Sequence, residues 1–160
     1  MDNRYMAGLI LVTALGSGLV AGVFFAFSSF VMKALGRLPA NEGISAMQSI
    51  NIVVINPWFL GVLMGTAVAC AALAVIAFLN WGDPRAAWIV LASLVYLVGT
   101  ILVTMTFNVP LNDALAAADP NSTESAGLWA HYLDRWTMWN HVRSAAALAT
   151  AALLTMAFRS

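Results

Sequence analysis

Four long apolar stretches dominate the chain, and polar side chains gather near one end of each. The first runs from about Tyr5 to Met32, the second from Trp58 to Leu79, the third from Arg85 to Phe107 and the fourth from Trp136 to Phe158. A helix crosses a bilayer in about 20 residues, so each stretch is long enough to span. The pattern predicts an all-α fold: a four-span antiparallel transmembrane helical bundle, one domain over residues 1–160, with a short extra helix between spans one and two. That short helix is expected from about Pro39 to Asn51, since a proline near the first turn with Glu42 close behind suits a helix start. Asn56-Pro57 then breaks the backbone, because the residue before a proline is pushed away from helical angles. The turn Asn80-Trp81-Gly82-Asp83-Pro84 leads into span three. Asn108-Val109-Pro110 is expected to interrupt that helix at its end, leaving 111–118 as a further turn or two, and a long helix from about Glu124 to Phe158 completes the chain.

The fourth stretch carries the most informative polar pattern. Between Arg143 and Arg159 lie only 15 residues, Ser144 to Phe158, fewer than a crossing needs, so Arg143 lies within the bilayer slab. A charge at that depth is costly, faces the bundle interior and marks a functional site by default. Trp136, Asn140, Arg143 and Ala147 are three or four residues apart and share a helix face. In an up-and-down bundle the same membrane face receives Ser28 and Ser29 from span one, Asn51 and Asn56 before span two, Thr104, Thr106, Asn108 and Asn112 at the end of span three, and Trp139 beside the stripe. The opposite half of every span is aliphatic. A blander reading competes for some of these positions: tryptophans at span ends form interfacial belts, arginines snorkel, and Asn-x-Pro is an ordinary helix stop.

Composition narrows the function classes. With 62% hydrophobic and 9% charged residues and a mean hydropathy of +0.86, the chain reads as an integral membrane protein whose first partner is the lipid bilayer. A net charge of zero with no basic run gives nucleic acid no footing. The first apolar stretch is too long for a signal peptide and is expected to be retained. The one cysteine, Cys70, cannot run dithiol exchange. His131 and His141 lie ten apart on one helix, about 80° from facing alike, and cannot sandwich a haem. Glu42 and Glu124 are the only glutamates and no Glu-x-x-His occurs, so no di-iron site, no other metal site and no cofactor is expected. Small residues recur every fourth position, at Ala14, Gly18, Gly22 and Ala26 and at Gly61, Gly65 and Ala69. Spans one and two are expected to touch through these stripes, with homo-oligomerisation as their competing use. Arg4, Arg85 and Arg159 on the terminal side balance Lys33, Arg37 and Arg135 on the other, so the positive-inside rule does not decide. The longer segments and most acids on the far side point to cytoplasmic termini, in a bacterial inner membrane.

The segments Gly22-Val23-Phe24-Phe25-Ala26-Phe27-Ser28, Gln48-Ser49-Ile50-Asn51 before Asn56-Pro57, Asn108-Val109-Pro110-Leu111-Asn112 and Trp136 to Arg143 together resemble the DUF1772, or anthrone oxygenase-like, membrane family. The resemblance covers nearly the whole chain. It implies a four-span helical membrane protein and, from characterised fungal relatives, cofactor-independent oxidation of anthrones to anthraquinones by dioxygen. Such chemistry requires a base, hydrogen-bond donors for an enolate oxygen and a flat apolar slot. Arg143 and Asn140 are the candidate donors, and Trp136 and Trp139 the stacking surfaces for a hydrophobic aromatic molecule. Asn51, Asn56, Asn108, Asn112 and Ser28 are further substrate contacts. For the base, His141 is preferred narrowly over Asp113, with His131 behind. A small transporter with its substrate at a broken helix and a non-catalytic accessory subunit are the alternatives.

Overall fold

The computed structural model describes residues 3–159, which form five helices and no strand. We name them α1 (Arg4–Leu35), α2 (Ala40–Val53), α3 (Pro57–Leu79), α4 (Ala86–Ala116) and α5 (Ser125–Arg159). All but α2 are long and apolar enough to cross a membrane. They stand as a four-helix ring in which α5 packs on α1 and α4, and α3 closes the ring between them. The short α2 lies across the end of the bundle far from the termini, against α5 and the last turns of α4. Its start differs by one residue from the sequence expectation, because Pro39 adopts an extended conformation and serves as the residue before the helix.

Three layers of buried side chains fill the ring. Met6, Ile10, Leu73, Ile89 and Leu154 pack near the termini. Val20, Phe24, Leu63, Cys70, Tyr96 and Ala147 form the middle, and Met32, Ile44, Met47, Leu115, Trp129, Tyr132 and Trp136 the far end. Polar side chains tie the backbones together: Ser17 Oγ donates to Ala147 O at 2.8 Å, Tyr96 Oη to Leu63 O at 3.1 Å and Thr150 Oγ1 to Ala92 O at 3.2 Å. Such bonds join helices where lipid offers no hydrophobic drive.

Spans one and two do touch, but not through the glycines expected. Gly18, Gly22, Gly61 and Gly65 face outward, and a Cβ added to any of them meets nothing within 4 Å. The close approaches occur at Gly16, which lies against Thr66, and at Gly99, where an added Cβ would come 2.5 Å from Ala146 Cβ. Spacing by four defines a stripe of small residues without saying which side of the helix meets a neighbour.

The third helix also departs from expectation, since Pro110 does not interrupt it. Proline has no N–H and its ring crowds the carbonyl four residues back, which normally kinks or ends a helix. Here the backbone widens ahead of the proline into π-helical turns at Leu97–Leu102 and Thr104–Asn108, with Val109 N–H bonding Thr104 O five residues back. α1 has a similar widened turn at Phe27–Val31. Such bulges are frequent at functional sites.

At the opposite end of the molecule, in the turn between α3 and α4, Arg85 Nη2 lies 2.7 Å from Asp83 Oδ2. This guanidinium holds the carboxyl down from an ordinary 3.8 to about 2. A depressed carboxylate pKa adds stability that is complete above the unfolded value and lost as pH falls through the folded one. The stability difference between wild type and Asp83→Asn, read from thermal melts in detergent, should therefore shrink as pH drops from about 4 to about 2. Packing gives a second expectation. Gly99→Val should lower stability by about 1–3 kcal/mol through overpacking, while Gly18→Val and Gly61→Val melt as wild type does.

Candidate functional site

The far end of the bundle encloses a cavity of about 360 Å³ to which all five helices or their flanking turns contribute, within the range of about 300–1,000 Å³ usual for small-molecule sites. Its walls are apolar and aromatic: Phe24 and Phe27 of α1, Met47 and Ile50 of α2, Phe59 and Leu63 of α3, Val109 of α4 and Trp136 of α5. Four polar side chains, Asn51, Thr104, Asn112 and Arg143, interrupt them. Largely apolar walls with a few convergent polar groups are the usual composition of a binding site.

Helix α5 brings most of the polar machinery, because Tyr132, Trp136, Asn140, Arg143 and Ala147 recur at three- and four-residue spacing and are all buried. Asn140 is fully buried. Its Nδ2 donates to Phe24 O and to Ser28 Oγ, both at 2.7 Å, and its Oδ1 accepts from Arg143 Nη2 at 2.8 Å. Both amide protons thus hold α1, and the oxygen holds the arginine. Arg143, 5% exposed, also donates from Nη1 to Thr104 Oγ1 at 3.3 Å. Its guanidinium carbon sits 4.2 Å from the Phe24 ring centroid and 5.1 Å from that of Trp136, within cation–π range. Nε is buried with no hydrogen-bond partner. The arginine therefore points into the bundle and is met from span three, by Thr104 rather than by Asn108 or Asn112.

Asn112 stands beside the cavity with Oδ1 accepting from Trp136 Nε1 and from Tyr132 Oη, both at 2.8 Å. Asn108 is buried outside the cavity lining and donates from Nδ2 to Trp136 O at 3.2 Å, fastening α4 to α5. Asn51 lines the cavity with Nδ2 buried and without a hydrogen bond.

The remaining candidates lie elsewhere. Asn56 caps α3, its Oδ1 accepting from Trp58 N and Phe59 N at 3.0 Å. Trp139 is stacked on Phe107, with ring centroids 3.6 Å apart, and does not line the cavity. His141 lines an outer furrow between α1 and α5 with Gly18, Gly22 and Ser144; Ser28 borders that furrow while bonding Asn140. Asp113 lines a neighbouring space with Gln48 that shares Asn51, Ile55, Val109 and Asn112 with the cavity, and so lies beside it. Among the described residues no group of three or more His, Cys, Asp or Glu is placed to hold a metal ion.

The site also contains residues that sequence reasoning did not select. Tyr132 was reachable, lying one turn before Trp136 on the same face. Phe59 carried no signal, since phenylalanine is ordinary in an apolar span, and Phe24 and Phe27 stood only within the family-like segment 22–28, without being singled out as site residues.

Over residues 58–153, well over half of its length, the chain matches the family model described as anthrone oxygenase. It belongs to the anthrone oxygenase family. No curated protein and no solved structure matches the chain. The anthrone oxygenase match covers nearly all of α3, all of α4 and most of α5, and so includes Thr104, Asn112, Trp136, Asn140 and Arg143; Phe24, Ser28 and Asn51 precede it.

Removing the central amide tests this arrangement. Asn140→Leu should lower thermal stability in detergent by about 1–3 kcal/mol, the range for leaving buried polar partners unsatisfied. Trp139→Phe, which keeps a ring on Phe107, should cost well under that.

Proposed function

We propose that the protein is a membrane-embedded oxygenase that needs no cofactor and converts an anthrone-type aromatic ketone to the corresponding dione with dioxygen. The observation that carries this reading is Arg143, a cation held by neutral oxygens and aromatic faces at the wall of an apolar, aromatic-lined cavity. No carboxylate lines that cavity, so the positive charge remains available to a developing anion. A preorganised donor aimed at such charge in a water-poor site is the largest single source of rate enhancement in many enzymes.

The reaction balances without another reductant. Loss of a proton from the methylene between the rings gives an enolate whose oxygen is stabilised by Arg143. Its carbon adds dioxygen, forming a carbon–oxygen bond and a peroxide that takes up a proton. Loss of the second hydrogen from that carbon as a proton, with cleavage of the O–O bond, yields the second carbonyl, and the departing hydroxide takes up a proton to leave water. The methylene carbon loses four electrons and dioxygen gains four.

Asn140 acts in this scheme as a positioning residue, because both its donors are engaged by α1. Asp113, in the space beside the cavity, is the preferred proton acceptor. His141 is disfavoured by its position in the outer furrow. The bilayer serves as the reservoir of the hydrophobic substrate, which reaches the cavity past Ile55 and Val109.

The assay compares anthrone oxidation by wild type and variants in lipid nanodiscs. Arg143→Leu should lower turnover by about 10²-fold or more with the helical fold retained. Asp113→Asn should slow it as well, and the wild-type rate should rise with pH until the base is deprotonated. Exhaustive chelation should leave the rate unchanged. Activity abolished by chelator, or an Arg143→Leu variant as fast as wild type, overturns the mechanism.

A further inference from the structure

The orientation of one amide at the cavity mouth bears on which ligands the site accepts. Amide oxygen and nitrogen are alike in size, so a side-chain amide is oriented by its neighbours. An indole N–H is only a donor, so the Asn112 atom 2.8 Å from Trp136 Nε1 must be the oxygen. Tyr132 Oη then donates to the same oxygen, and both its lone pairs are engaged. The edge of Asn112 that these bonds leave free is its NH₂ group, which can only donate, on a side chain that lines the cavity.

The other fixed polar group has the same character. Arg143 has no acceptor at all, and its Nε is buried without a partner. Thr104, on α4 two turns before Asn112, gives its hydroxyl proton to Thr100 O at 2.6 Å and receives Arg143 Nη1. Arg143 and Asn112 thus offer donors at two separate points of a largely apolar wall, and the Asn51 Nδ2 beside them is a third donor without a partner.

We infer that Asn112 is a specificity-determining residue that donates a hydrogen bond to a second oxygen of the ligand, so that the cavity selects planar aromatic molecules with acceptors at two positions, the para-dione class. A molecule lacking one of these oxygens leaves a desolvated donor unmet, and sites built to hydrogen-bond a ligand discriminate strongly on that ground. This reading shares the cavity proposed for oxidation but requires no reaction there.

The test is equilibrium binding under anaerobic conditions to the full chain in lipid nanodiscs, corrected for partition into empty nanodiscs. The three probes are anthracene, anthrone and 9,10-anthraquinone, with no, one and two oxygens on the same frame. Wild type should bind anthraquinone at least about tenfold more tightly than anthracene, with anthrone between. Asn112→Asp keeps the size and the acceptor for Trp136 and Tyr132 while removing the donor. It should bring anthraquinone affinity down to the anthrone level and leave anthracene within twofold.

Anthraquinone binding no more tightly than anthrone to wild type overturns the inference, whether or not the variant folds. So does an Asn112→Asp variant that weakens all three probes equally, which would mark Asn112 as structural. Dione preference without anthrone turnover would leave this inference standing and remove the oxygenase reading. Turnover without dione preference would do the reverse.

Discussion

The hydrogen bonds of the buried Asn140 amide hold the functional end of the bundle together. Its two protons reach Phe24 O and Ser28 Oγ, and its oxygen receives Arg143. One side chain therefore ties the first helix to the last at this end of the bundle and aims the arginine. An ion within a low-dielectric bundle is usually met by an opposite charge. Here neutral oxygens and two aromatic faces meet it instead. The guanidinium is stabilised without being neutralised, which a carboxylate partner would not allow. The site keeps a positive potential in apolar surroundings, and the proposed enolate chemistry draws on that potential.

How much of this could be read from the sequence depends on the physical rule involved. The spans were legible because crossing a bilayer requires a fixed length of apolar helix, and the protein has four helices long and apolar enough to cross. The inward face of α5 was legible because Trp136, Asn140 and Arg143 follow helical spacing and a charge held within the bilayer slab had to turn inward. Partner identity was not. Arg143 meets Thr104 at the start of a π-helical turn of α4, and nothing in Asn-Val-Pro distinguishes a widened helix from a broken one. The outward-facing glycines illustrate the same limit, since a small residue permits an approach that only the neighbouring helix can decide. Trp139 and His141, each one position from Asn140, are turned by about 100° to other surroundings.

The division of labour among the helices follows from these contacts. α3, α4 and α5 form most of the stretch matched to the anthrone oxygenase family and carry Thr104, Asn112, Trp136, Asn140 and Arg143. α1 and α2 supply the aromatic and aliphatic wall opposite, together with the backbone carbonyl and hydroxyl that anchor Asn140. Neither half makes the cavity alone. Because α2 lies across the bundle end, Met47, Ile50 and Asn51 close the space that the four long helices leave open.

The widened turns of α4 tie the site to the helix's residue count. A π-helical turn accommodates one residue more than the α-helical turn it replaces, so it behaves as a single-residue insertion absorbed without breaking the span. Removing one residue within such a turn would let it relax to regular pitch with everything beyond it still in register. Straightening the turn with its residue count unchanged would instead rotate everything beyond by about 100°, carrying Asn112 away from Trp136 and Tyr132. Overall length and hydropathy would not register that change, yet the mouth of the cavity would be dismantled.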